Sequence, residues 1–361
     1  MTIHQFVPVL LPHDAVGNCA RELHRRLSVR QPSTRIYVED VRRSDPQLGT
    51  PVTAMALQPG DSVIYHYANF SSLAPKILAQ GQTILYYHNI TPEEYFAPWD
   101  ADTAVAQRRA RQQLERLVHQ AIGCLAVSEF NAAELRRYGA VNVATVGLFA
   151  HYDQLLSEPT TTRLERLRLS WHHRGRPEDW LFVGRLVPNK AQEQLLIAFA
   201  IFRSITSSDS SLTLIGRPFH DDYLRSLREL ASDLGISHRV HFLTGGLSAR
   251  YLADHYRAAR LFVSASLHEG FGAPLLEAMS LGLPVVAAGS SAVPETVGDA
   301  GIIVPPRDPF ASAAGAQLAS IEPLRGDLVR RGSRRVGLFD NDAVWGRMSR
   351  TLSDMVGFEI T

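Results

Sequence analysis

The chain is poor in lysine and in cysteine. Of 37 basic residues only Lys76 and Lys190 are lysine, and every other one is arginine. The two cysteines, Cys19 and Cys124, each stand alone in an apolar stretch without a CxxC, which argues against both a zinc cluster and a disulfide framework. Nor is there a surplus of charge. The formal net charge is +1, and residues 1–168 hold 17 Arg/Lys against 16 Asp/Glu. Gripping a nucleic-acid backbone needs a basic face, so nucleic acid is not expected as a partner. No apolar run reaches the ~18 residues of a membrane span. The opening MTIHQFVPVLLPHD lacks the basic flank and small-residue cleavage site of a secretion signal. These absences predict a cytoplasmic protein with no transmembrane segment.

Metal and dinucleotide motifs are missing too. Asp100-Ala101-Asp102 follows a proline-containing loop rather than a strand, and Asp340-Asn341-Asp342 suits a helix cap. His172 and His173 have no carboxylate or cysteine at ligand spacing, so no metal-ligating residue is assigned. No G-x-G-x-x-G follows the first strand.

What the chain does have is alternation. With 361 residues, 45% apolar and 20% charged, it can bury the cores of about two domains. Strands are expected at Gln5–Leu11, Thr34–Val38, Ser62–Tyr67, Thr83–His88, Gly123–Val127 and Asn142–Val146, with a basic amphipathic helix over Thr103–Gln120. Ala150–Asp179 breaks the rhythm and reads as a connection. Alternation then restarts with strands at Trp180–Leu186, Leu212–Ile215 and Arg239–Leu243, separated by helices at Ala191–Phe202 and Asp221–Leu234; another helix spans Leu247–Ala258. Helices close the chain at 308–320, 323–336 and from Asn341. Strand-helix alternation implies parallel sheets covered on both faces, so the fold class is α/β. The expected division is 1–168, 169–340 and a final helix 341–361.

Leu261–Pro306 is the most informative stretch. It reads as a buried strand (Leu261–Ser266), a glycine turn (Glu269–Gly272), a helix (Ala273–Leu281) and a second strand (Pro284–Ala288). Gly270 and Gly272 leave no Cβ between backbone and ligand, and a helix N-terminus presents unpaired N–H groups to an anion. Glu269 and Glu277 flank that anion site as acceptors for hydroxyls. Phosphate donors beside hydroxyl acceptors suit a sugar nucleotide.

Glu269 and Glu277, with GFGAPLL between them, resemble the E-x7-E motif of retaining glycosyltransferases of family 4, which have the GT-B fold. Gly282–Val286 and Pro294–Gly301 resemble the same family's continuation. The resemblance implies two Rossmann-like doubly wound domains facing a cleft, with an acceptor-side domain first and a donor-side domain second. The final helix often packs back on the first domain in that family. It also implies a metal-independent hexosyltransferase that retains anomeric configuration and uses a nucleoside-diphosphate sugar as co-substrate, without a cofactor.

The resemblance assigns further residues. In FVGRLVPNK, Arg185 and Lys190 leave the carboxyl edge of a strand, where they would meet the donor diphosphate. Lys190 stands out because arginine fills nearly every other basic position. His88, after TILYY, resembles the family histidine that faces the donor sugar, with His66 a second choice. Glu269 would hold sugar hydroxyls and Glu277 the nucleotide ribose. Gly17 lies where the family carries a glycine pair at the donor, whereas this chain has one glycine. Gly216, Arg217 and Leu243 lie where the family contacts the base, and Gly270, Phe271 and Gly272 form the turn itself.

The expected catalytic set is His88, Glu269, Arg185 and Lys190. Acceptors are glycans, lipid-linked sugars or small molecules, and a peripheral contact with the inner membrane face is compatible with them. EGFGAPLLEAM with HNITP resembles sequences near bacterial polysaccharide mannosyltransferases, leaning towards a GDP-sugar while leaving GDP against UDP open. The alternatives are a GT-B phosphorylase or sugar-nucleotide epimerase, or a non-catalytic sugar-nucleotide-binding protein. A nicotinamide enzyme fits worse, because Leu275 occupies the third glycine's place.

Overall fold

A computed structural model describes residues 1–361 except 12, 13, 151, 163, 167–177, 208 and 361. It divides into two compact units. One runs from Met1 to Ala150 and resumes at Phe339, and the other covers residues 151–338. The expected boundary at residue 168, with residues 167–177 of the expected connection, lies outside the described residues.

The first unit holds β1 (Ile3–Val7), β2 (Ile36–Val38), β3 (Gly49–Pro51), β4 (Ser62–Tyr67), β5 (Gln82–Tyr87), β6 (Gly123–Ala126) and β7 (Val143–Thr145). They form one sheet in the order β3-β2-β1-β4-β5-β6-β7, and the paired strands run parallel. Every residue of β4 is buried, as covering both faces of a sheet requires. Phe6, Tyr65, Tyr67, Leu85 and Tyr87 pack with Leu114 and Leu117 of the helix Ala101–Leu117. Strand order reverses between β1 and β4. In open parallel sheets such a reversal leaves a crevice at the carboxyl ends of the strands, where ligands bind.

The second unit has β8 (Trp180–Val183), β9 (Leu212–Ile215), β10 (Val240–Leu243), β11 (Leu261–Ser264), β12 (Val285–Ala288) and β13 (Gly301–Val304). Its order is β10-β9-β8-β11-β12-β13, again parallel, with the reversal between β8 and β11. Helices start where side chains can cap them. Asp100, Ser128, Ser248, Asp308 and Asp340 each accept a hydrogen bond from a backbone N–H three residues on. Asp100 and Asp340 thus cap helices, which accounts for both D-x-D runs.

The helix Asn341–Val356 belongs to the first unit. Arg347 Nε donates to Val146 O at 3.2 Å, Asn341 exchanges two hydrogen bonds with the Ala150 backbone, and Arg26 pairs with Asp342 at 2.8 Å. No helix among the described residues is long and apolar enough to cross a membrane.

Candidate functional site

The loops after β8 and β11 meet at the reversal point of the second sheet. After β8 the chain runs through exposed Arg185 to a single 3-10 turn, Pro188–Lys190. Asn189 is the joint between the loops. Its carbonyl accepts from Leu267 N at 2.8 Å and His268 N at 3.3 Å, and its Nδ2 donates to His268 O at 2.9 Å. This brings Lys190 Nζ to 2.5 Å from Glu269 Oε2, with both side chains mostly buried. Ala191 then takes a left-handed conformation, φ 49°, before the helix Gln192–Thr206. Such strain in a non-glycine residue persists only where its surroundings enforce it.

The turn Glu269–Gly272 is clamped from the other side by the loop after β12 and the short helix Val293–Val297 that follows it. Glu269 N donates to Ser291 Oγ at 3.0 Å, and Thr296 Oγ1 donates to Phe271 O at 2.5 Å. Gly272, at φ 91°, is the N-cap of the helix Ala273–Ser280 and brings no capping side chain. The second position of that helix, Pro274, has no N–H, and Leu275 N donates to Gly272 O at 2.9 Å, so the anion donors expected from the helix start are fewer than its length suggests. The turn itself, with Lys190 held against it by the pair with Glu269, is what suits a diphosphate.

Glu277, one turn inside the same helix, accepts a 2.6 Å hydrogen bond from Tyr256 Oη. Burial raises its carboxyl above the ordinary range, and the Tyr256 bond opposes the shift. Tyr256 is itself fully buried and stacks on Phe262.

Gly216 and Leu243 follow or end neighbouring strands and are tied together, Gly216 N donating to Leu243 O at 3.1 Å. A Cβ on Gly216 would lie 1.9 Å from Gly184 O. Arg217 is exposed, and its carbonyl accepts from Leu186 N at 3.0 Å. Arg185, Lys190, Gly216, Arg217, Leu243, Gly270–Gly272, Glu269 and Glu277 all belong to this unit.

His88 and Gly17 belong to the first unit. His88 follows β5, its Nε2 is 2.9 Å from His66 Nδ1, and His66 Nε2 is 2.8 Å from Gln5 Oε1. Burial depresses both imidazoles, His66 to about 3 and His88 well below its ordinary value, so both are neutral. Cys19 donates to Tyr86 Oη at 3.6 Å, and burial pushes its thiol up to about 12. Gly17 lies in the helix Ala15–Arg30, where a Cβ would meet Leu11 O at 2.4 Å. Close packing of helix on loop is thus reason enough for a glycine there.

Residues 165–334 match the family model described as glycosyl transferases group 1. The chain carries a glycosyl transferases group 1 domain. Over 271 residues it is 32% identical to the O-antigen chain mannosyltransferase B of Escherichia coli, an alignment covering 72% of this chain and 66% of that protein. Over 124 residues it is 39% identical to a GDP-mannose-dependent alpha-(1-6)-phosphatidylinositol monomannoside mannosyltransferase of Mycolicibacterium smegmatis, covering 32% and 31% of the two chains. The chain therefore spans just under two thirds of the first relative's length and about a third of the second's. Among solved structures, the sucrose-phosphate synthase of Thermosynechococcus elongatus superposes with a TM-score of 0.75 at 19% identity, covering 99% of this chain and 100% of that one.

The fold is GT-B. The group 1 domain holds every candidate residue except Gly17 and His88. Three residues that fix its site escaped the sequence reading: Asn189, Tyr256 and Ser291. Asn189 lay inside the quoted FVGRLVPNK, while Tyr256 and Ser291 act across strand boundaries that no spacing rule connects.

Proposed function

We propose that this protein is a retaining hexosyltransferase that moves a sugar from a nucleoside-diphosphate donor to a hydroxyl acceptor. The observation that carries it is the Lys190–Glu269 pair at the β8/β11 reversal, beside the uncapped N-terminus of the helix Ala273–Ser280. A diphosphate entering there draws Lys190 away from Glu269 and meets the backbone of the glycine turn 270–272. The freed carboxylate then accepts from sugar hydroxyls.

Arg185 adds a second cation, so that charge growing on the departing phosphate is neutralised without a bound metal. Glu277, steadied by Tyr256, takes the ribose hydroxyls. Gly216, Arg217 and Leu243 line the base. The departing phosphate oxygen takes the acceptor's proton as the new glycosidic bond forms on the same face, and His88 meets the transferred hexose. The two mannosyltransferase relatives support a GDP-mannose donor and a glycan or lipid-linked acceptor.

A panel of GDP- and UDP-sugars tests the reading in two stages. By thermal shift, a cognate donor at ~100-fold its dissociation constant adds roughly 2.7 kcal/mol of stability. With that donor, transfer to mannosides after exhaustive chelation is followed by the anomeric proton of the product. The expected result is undiminished transfer with retained configuration. Inverted product, or activity that returns only with manganese or magnesium, overturns it.

A further inference from the structure

Three side chains cross the reversal point of the first sheet in a row, and the row has a direction. Gln5 of β1 is fully buried, His66 of β4 lies against it, and His88 follows β5. The carbonyl oxygen of Gln5 can only accept, so His66 Nε2 carries the hydrogen of their 2.8 Å bond. A neutral imidazole has one N–H. His66 Nδ1 is therefore an acceptor, and His88 Nε2 must donate across the 2.9 Å between them. The same rule leaves a bare lone pair on His88 Nδ1, an atom buried without a hydrogen-bond partner.

The surroundings hold this row still. The two imidazole planes lie within 12° of each other with centroids 5.1 Å apart, as rings joined edge to edge by an in-plane hydrogen bond do. The Tyr86 ring packs against both, 5.4 Å from His66 and 4.3 Å from His88, and its hydroxyl donates to the Gly147 carbonyl. His88 N donates to Tyr67 O at 2.9 Å, fixing the backbone behind the ring. Cys19 offers no competing hydrogen, because its thiol donates to Tyr86 Oη.

We propose that Gln5 and His66 are positioning residues that hold His88 in its Nε2-protonated tautomer, so that Nδ1 is kept as an acceptor for a hydroxyl of the sugar or its acceptor. The proposal rests on the role given above to His88. A freely rotating, tautomerising ring would present donor and acceptor alternately. The row removes that choice before substrate arrives, leaving one buried lone pair that a hydroxyl can satisfy.

The test uses the full chain with 15N-labelled histidine. Long-range proton–nitrogen correlation reads the His88 tautomer, and donor turnover and nucleoside-diphosphate affinity are measured on the same samples. Wild-type His88 should be neutral with its hydrogen on Nε2. His66→Phe removes the acceptor, so the His88 tautomers should mix and kcat should fall on the order of tenfold, with nucleotide affinity within about threefold. His66→Asn, whose amide oxygen can accept, should recover part of both signals. Gln5→Leu should act in the same direction as His66→Phe and serves where that variant does not fold. An Nδ1-protonated wild type overturns the proposal, as does an unchanged tautomer and kcat in folded His66→Phe. So does stoichiometric zinc in the purified protein that His66→Phe removes, because Cys19, His66 and His88 would then be a metal clamp. Full turnover in His88→Ala would sink the role of His88 itself, an outcome separate from the tautomer readout.

Discussion

Gly216→Ala separates packing from ligand approach. The added Cβ would sit 1.9 Å from Gly184 O, 2.6 Å from Gly184 C and 3.3 Å from Arg185 N. The nearest atoms are backbone, so no rotamer change can relieve them. Reaching even a 3.0 Å contact needs the β8 and β9 ends to part by at least 1.1 Å, the difference of 3.0 and 1.9 Å. Those ends are fastened by Gly184 N to Ile215 O at 2.9 Å and Leu186 N to Arg217 O at 3.0 Å. Overpacking of this kind costs about 1–3 kcal/mol, and each weakened hydrogen bond adds about 1. With two such bonds the total is about 3–5 kcal/mol. With a urea slope of roughly 2–3 kcal/mol per molar, the unfolding midpoint of the second unit should fall by roughly 1–2.5 M. Nucleotide affinity should fall with it, because Arg185 is displaced. Gly245→Ala is the control, since nothing lies within 4 Å of its added Cβ. If Gly216→Ala keeps its midpoint yet loses nucleotide, the glycine serves ligand approach and the packing argument is wrong.

Two further predictions concern charge. Lys190→Ala should slow the chemical step by on the order of 10²–10³, the usual cost of losing one group that stabilises developing charge; retention of more than half the single-turnover rate would make Lys190 a bystander. For Glu277, the ionised form is the one that accepts from ribose, so nucleotide affinity should be full above its raised pKa and decline as pH falls through it. Tyr256→Phe removes the donor that favours the carboxylate and should move that decline to higher pH. Stability of the unliganded protein should change in the opposite sense. A carboxyl raised in the folded state holds more protons than in the unfolded chain, so Glu277 destabilises above its folded pKa and that penalty fades on acidification. Calorimetric titration and melting curves across pH check both signs, and a pH-independent affinity in wild type would contradict the ribose assignment.

The fold was legible because strand burial writes itself as apolar runs. Ser62–Tyr67 and Leu212–Ile215 coincide with β4 and β9 to the residue. β3 is not legible because Gly49 and Pro51 disfavour strands, the element is three residues long and it pairs only at an edge. The helix Glu129–Arg137 also went unread. Within the site, the strand-turn-helix around Glu269 and Glu277 could be read locally. The Lys190–Glu269 contact could not, since 79 positions separate the partners, and Asn189 joins their loops through its backbone carbonyl and a side-chain amide whose partner, His268 O, no spacing rule points to. The sequence offers His66 only as a second candidate for the reaction centre, and spacing alone does not reveal that its ring reaches His88.

The return of the last helix to the first unit has a consequence for synthesis. As the chain leaves the ribosome, β1 to β7 emerge long before Asn341–Val356, the helix that places Arg347 against Val146 and Met355 against Gly123. Those early strands wait through the translation of 188 residues, 151 to 338, before their cover arrives. The second unit is contiguous and can close first. Vectorial order and spatial order therefore disagree, and any nascent or truncated chain ending before residue 341 leaves the start of β6 at Gly123, where Met355 packs, open to whatever else is folding nearby.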